Sequence, residues 1–225
     1  MSQSQGVAMT DRSQDVVSSD PPSPELLLAL VEGQQRRTEH LTTPDPRVMY
    51  GTWGVVWFAG HLLLFLGGLA DPLLPLSAAL AVFFGMLVVG NAVVGVELVR
   101  AFHGLRGDSR RFGILYGLTW PIGMTAVSLV VVAAGAHGLP DPLAGMLFAT
   151  LPAVLTGVLL MAGAALWDSR VDFGLGCWFA VLGTASAFTS PPTTNLLLSL
   201  LGGGVLLVAA LVAALRRSGR ARGEG

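Results

Sequence analysis

Lysine is absent from the 225 residues, and all 13 basic side chains are arginine. Charge of either sign is scarce: Asp, Glu, Lys and Arg make up 12% of the chain, against about 25% in an ordinary soluble domain. The formal net charge is −1, which removes the global basic field that nucleic-acid binding needs. A single cysteine, Cys177, excludes an internal disulfide and any multi-cysteine zinc or iron–sulfur site. The sequence has no HExxH, no Walker A and no GxSxG. Its histidines are His40, His61, His103 and His137, so none lies near Ser186 in the last third. No His, Asp or Glu group has metal-ligand spacing. The inventory therefore predicts no enzyme, no metal and no cofactor.

What is present is apolar. Hydrophobic residues are 52% of the chain and the mean hydropathy is +0.67. The few charges sit in short islands between long apolar runs, which predicts an all-α, polytopic membrane protein with the lipid bilayer as its main partner. Six runs qualify as spans: 50–69, 74–99, 113–135, 143–166, 173–189 and 195–215. Each is long enough at ~1.5 Å per residue for a ~30 Å hydrocarbon layer. The fifth, short and rich in Gly, Ala, Ser and Thr, is the weakest.

Four segments follow from the same pattern. Residues 1–24 are rich in Ser, Gln, Asp and Pro and read as a disordered tail without signal-peptide character. Residues 25–41 read as a short amphipathic, interfacial helix introduced by Ser23-Pro24-Glu25. Residues 47–215 form the six-helix membrane domain, and 216–225 a basic tail.

The arginines are distributed unevenly. Arg12, Arg36, Arg37 and Arg47 surround the start of the first run. Arg100, Arg106, Arg110 and Arg111 fill the second connection, Arg170 the fourth, and Arg216, Arg217, Arg220 and Arg222 follow the sixth. The first, third and fifth connections have none. The positive-inside rule then predicts a bacterial inner membrane location with both termini cytoplasmic.

The starts of the first, third and fifth runs rhyme. They read Asp45-Pro-Arg-Val-Met-Tyr50-Gly51, Asp108-Ser-Arg-Arg-Phe112-Gly113 and Asp168-Ser-Arg-Val-Asp-Phe173-Gly174. Two readings stay open: three repeats of a two-helix hairpin, or the ordinary interfacial preference for Arg and aromatics. Repetition would place Asp45–Arg47, Asp108–Arg110 and Asp168–Arg170 as charge pairs around an inner gate. The alternative leaves them as solvated charges of little energetic weight.

Three polar residues of the first two runs, His61 and Asn91 at depth and Glu97 near the inner interface, are candidates for a solute or proton path. His61, in WFAGHLLLF, needs a partner or water and titrates near physiological pH. Asn91 is deep enough to bond across helices. Glu97 sits three residues before Arg100, which predicts pairing on one face, with cation binding as the other reading. Pro121, Pro152 and Gly202-Gly203-Gly204 mark helix breaks or close approaches.

QQRRTEHLTTPDPRVMYGTWG, the DSRxxFG-type starts and the Arg-only tail resemble uncharacterised six-helix membrane proteins of high-GC actinobacteria that usually bear a transporter label. Thr43-Pro44-Asp45-Pro46, and Phe112-Gly113 with Tyr116-Gly117 and Trp120, are similar to motifs of the six-helix acetate/succinate uptake family. In that family's pattern Asn replaces Thr43, and Leu-Gly-Leu replaces Arg47-Val48-Met49. The resemblance implies a six-helix membrane fold and brings no substrate with it. Two function classes follow. One is passage of a small solute or ion, with a homo-oligomer as one possible assembly. The other is a non-transporting accessory or sensor subunit that binds a cytosolic partner. They differ in whether His61 and Asn91 face a wetted path or are packed and satisfied.

Overall fold

A computed structural model of the chain describes residues 23–29, 44–103 and 108–223. The chain divides into two units, Met1–Leu41 and Thr42–Gly225. Of the first, residues 24–29 are helical, with the Leu26 amide donating to Ser23 Oγ at 3.3 Å. Residues 1–22 of the tail expected over 1–24, and residues 30–41 of the short helix expected over 25–41, lie outside the described residues.

The second unit is helical throughout, with no strand among the described residues. Its elements are α1 (Pro46–Gly67), α2 (Leu76–Phe102), α3 (Asp108–Ala136), α4 (Asp141–Trp167), α5 (Arg170–Ser186) and α6 (Pro191–Leu197). A six-residue π-helical turn, Leu198–Gly203, then runs directly into α7 (Gly204–Gly223). Local chemistry sets the starts. Asp45 caps α1 ahead of Pro46, Ser169 caps α5 by accepting from the Asp172 amide, and prolines introduce α2, α4 and α6.

Five stretches are long and apolar enough to cross a membrane: Pro46–Gly67, Leu76–Ala101, Arg111–Ala136, Asp141–Trp167 and Pro191–Gly219. The expected run 173–189 corresponds to α5, which at 17 residues is the short one. The last stretch is interrupted by the π turn.

Glycines set the helix pairing because their missing Cβ lets backbones meet. On the α4–α5 seam, a Cβ at Gly157 would fall 2.5 Å from the Ala180 amide nitrogen, and one at Gly183 would fall 2.8 Å from that of Val154. That register is antiparallel. The same geometry recurs between α1 and α2, where Gly67 faces Ala79 and Gly90 faces Val56. Gly54 faces Leu207 across α1 and α7, and Gly123 faces Leu155 across α3 and α4. The shared core gathers Trp57, Ala153, Phe179, Leu182 and Leu198. Trp57 and Phe179 meet edge to face, with centroids 5.0 Å apart.

The most extensive pair, α4 with α5, joins helices from different members of the expected hairpin triplet. The three starts also differ locally. Asp45 is an N-cap, whereas Asp168 terminates α4 in the left-handed region at φ 49° and leaves the capping of α5 to Ser169. Tyr50 is half-buried, while Phe112 and Phe173 are exposed.

Candidate functional site

The α1–α6 seam holds the most deeply placed ionisable residue of the membrane unit. His61 is 4% exposed and lies between two rings, with centroids 5.2 Å from Trp57 and 5.3 Å from Phe83. Gly60 makes room for Phe83: a Cβ there would fall 2.8 Å from Phe83 Cε2. Nδ1 of His61 is 2.9 Å from Asn195 Oδ1, and Asn195 Nδ2 donates to the Pro191 carbonyl at 3.3 Å.

That second bond assigns the first. A carbonyl accepts only, so the amide nitrogen must face Pro191 and Oδ1 must face the imidazole. His61 therefore carries its proton on Nδ1 and donates to Asn195. Among the described residues Nε2 has no hydrogen-bond partner, yet no sealed side-chain nitrogen or oxygen lacks one. Nε2 is then the nitrogen that carries the free lone pair.

One turn away, Ser199 Oγ donates to the Phe58 carbonyl at 2.7 Å. The two bonds are successive rungs between α1 and the α6–π segment. Gly203 closes the same seam: a Cβ there would lie 2.5 Å from Phe58 Cα. The π turn disturbs the regular backbone ladder, and Trp178 Nε1 donates to the Leu201 carbonyl within it at 2.8 Å. Thr194, fully buried, donates to the Ser186 or Ser190 carbonyl, each at 3.1 Å. The result is a polar seam in which each of these side chains has a partner on a neighbouring turn or helix.

No match to this chain is found among protein-family models, curated proteins or solved structures.

The other candidate path residues lie elsewhere. Asn91 is exposed on α2 and donates to the Leu87 carbonyl of its own helix at 2.8 Å. Its neighbour Gly90 is the residue that faces α1, so the structure does not bring Asn91 to His61. Glu97 does not pair with Arg100. Its Oε1 accepts the Asp45 backbone amide at 3.0 Å instead, because Asp45 comes over the end of α2 as α1 begins.

Asp45 is the hub of this helix end. It accepts from the Arg47 amide and Nε at 3.0 Å each and from Arg217 Nη1 at 3.3 Å. The Arg47 guanidinium holds the Asp45 carboxyl below the usual carboxylate range, with the Arg217 charge adding to the effect. Nearby on α1, Tyr50 donates to Asp172 of α5 at 2.5 Å. The side chains of Asp108 and Arg110 lie outside the described residues. Among the described residues Asp168 and Arg170 form no ion pair, since the backbone turns at Asp168 and parts them.

Sequence reasoning missed Asn195, Ser199, Arg217 and the Tyr50–Asp172 bond. Asn195 offered a signal as a strong amide inside the last apolar run. Its pairing with a residue 134 positions away offered none.

Proposed function

We propose that this chain is a six-span membrane protein that passes a small solute or ion, with the α6–π–α7 segment as its gate. The observation that carries the reading is the His61–Asn195 bond, which ties an ionisable group at membrane depth to the turn just before a π-helical break. Ionisable groups at that depth are costly unless they serve a path or a relay. Interrupted helices commonly line such paths. Proton uptake at Nε2 would add a charge between Trp57 and Phe83, and movement of the irregular segment would relieve it.

Six crossings are supported by α5 running antiparallel to α4 on the glycine seam. The arginine asymmetry supports a cytoplasmic membrane with both termini inside. A non-catalytic role and the resemblance to actinobacterial transporter-labelled proteins belong to the same proposal.

The test uses purified protein in pyranine-loaded vesicles, with proton, potassium, sodium, chloride and acetate fluxes followed from pH 5 to 8. Flux that rises or falls with pH and loses that dependence in His61→Phe supports the gate. Absence of flux for every probe favours the second reading, a non-transporting accessory or sensor subunit bound to a cytosolic partner. The observation favouring that reading is that His61 is packed and bonded while Asn91 faces away from it.

A further inference from the structure

Asn91 stands near the middle of α2, 15 residues after Leu76 and 11 before Phe102, on a side that nothing in the described residues covers. Other polar side chains on exposed helix faces return their hydroxyl to their own helix, as Thr119 does to Tyr116 and Thr184 to Ala180. A single hydroxyl proton is thereby spent. An amide is different: it has two N–H donors and a carbonyl acceptor. The Leu87 bond uses one donor, and among the described residues Oδ1 accepts from nothing. Lipid tails cannot complete the set, because they carry no donors or acceptors.

We infer that α2 is the contact between two copies of this chain, paired about a twofold axis with Asn91 against Asn91. A second copy is the occupant because an amide is complementary to itself. Across a twofold axis each Oδ1 accepts from the other's Nδ2, and both open valences close at once.

The surrounding face permits the approach. Phe84, Val88, Asn91, Gly95 and Leu98 follow at alternating steps of four and three, the spacing of a left-handed helix pair. Phe84 and Val88 are 54% and 70% exposed. Open space lies over Gly95, with nothing within 4 Å of a Cβ there. The contact is independent of the His61 gate, because Gly90 and Phe83 on another side of α2 meet α1.

The experiment is cysteine cross-linking of the full chain in native-lipid vesicles, in a Cys177→Ser background. Val88 and Val89 are adjacent and about equally exposed, at 70% and 63%, but they point about 100° apart around the helix. Val88→Cys is expected to form the disulfide-linked dimer and Val89→Cys not to. Adding Asn91→Leu to Val88→Cys is expected to weaken association about tenfold, with Asn91→Gln retaining part of it. The thermal midpoint in detergent separates lost pairing from misfolding, and Asn91→Leu should leave it unchanged because the side chain touches no other helix. Equal linking at 88 and 89, linking at neither, or linking at 88 that ignores Asn91→Leu would overturn the inference.

Discussion

Replacing His61 by phenylalanine keeps a ring between Trp57 and Phe83 and deletes only the donor to Asn195. The magnitude follows from what remains. Asn195 Oδ1 loses its 2.9 Å partner in a seam where His61 is 4% exposed, so replacement by bulk water is restricted. A buried acceptor left unpaired costs about 1–3 kcal/mol. Interhelical bonds in membranes average nearer ~0.6 kcal/mol, because the reference state also finds partners. The expected loss is therefore about 1 kcal/mol. His61→Ala adds a cavity between two rings and should lose about 2–4 kcal/mol, by analogy with other large-to-small core changes. Asn195→Leu removes the other partner. If the bond is the coupling, the double variant His61→Phe/Asn195→Leu should lose less than the sum of its singles by about 0.5–1.5 kcal/mol. Unfolding of the four proteins in mixed micelles at pH 7.5, where the imidazole is neutral, measures the cycle. Strict additivity would refute the bond as an energetic link, and with it the assignment of Nδ1 as the donor.

The remaining expectations concern topology, the Asp45 hub and the glycine seam. In a Cys177→Ser background, cysteines at Asp71, His137 and Thr193 should react with an impermeant thiol reagent from outside, and those at Leu105 and Arg220 should not. External labelling at 105 refutes six spans. His137 suits the third connection better than Gly138, which sits at φ 94°, where a side chain adds strain. Asp45→Ala removes the cap of α1 and both arginine contacts and should cost about 1–2 kcal/mol, read as a lower unfolding midpoint. The native carboxyl is depressed relative to the unfolded one, so its contribution is fully present above the ordinary value of 3.8 and fades as pH falls below it. Asp45→Ala should accordingly flatten the acid limb of a stability profile below pH 3.8 and leave the profile parallel to that of the native protein above it. Gly157→Val places its branch against the Ala180 backbone and should abolish the folded band in detergent, whereas Gly174→Ala, with open space around it, should be silent.

Five of the six expected spans were legible because composition alone decides them: a run too apolar for water has to go into lipid, whatever it packs against. The weakness of the fifth was legible too, since α5 at 17 residues is short by its own length. The hub at Asp45 was half legible. Asp45 and Arg47 of Asp-Pro-Arg stood in the sequence as a candidate charge pair and are in contact, whereas the capping of α1 by Asp45 was not read from it. The same letters with Ser for Pro did not carry the same structure. Proline at 46 fixes the first helical residue and so makes Asp45 the cap. At 168–170 the serine takes that role, and the aspartate becomes the left-handed end of the helix before it. Glu97 was assigned to the nearest arginine by spacing, but the closest donor in space was a backbone amide 52 residues earlier.

His61 and Asn91 looked equivalent in the sequence, as lone polar groups in apolar runs, and their difference lies in which way each helix turns. Gly54 and Gly60 put one side of α1 against α7 and α2, and His61 shares that buried side, so its ring meets Asn195 inside the same molecule. Gly90 does the same for α2, and a single residue further on the helix has rotated by about 100°, which carries Asn91 out to the exposed face. Hydrophobic period cannot report this in a membrane helix, because apolar residues are favoured on every side. Small residues report it better, since they mark where another backbone comes close. The close-packed glycines of α1, α4 and α5 mark contacts made within the chain, and the open one at 95 lies on the side of α2 that carries Asn91.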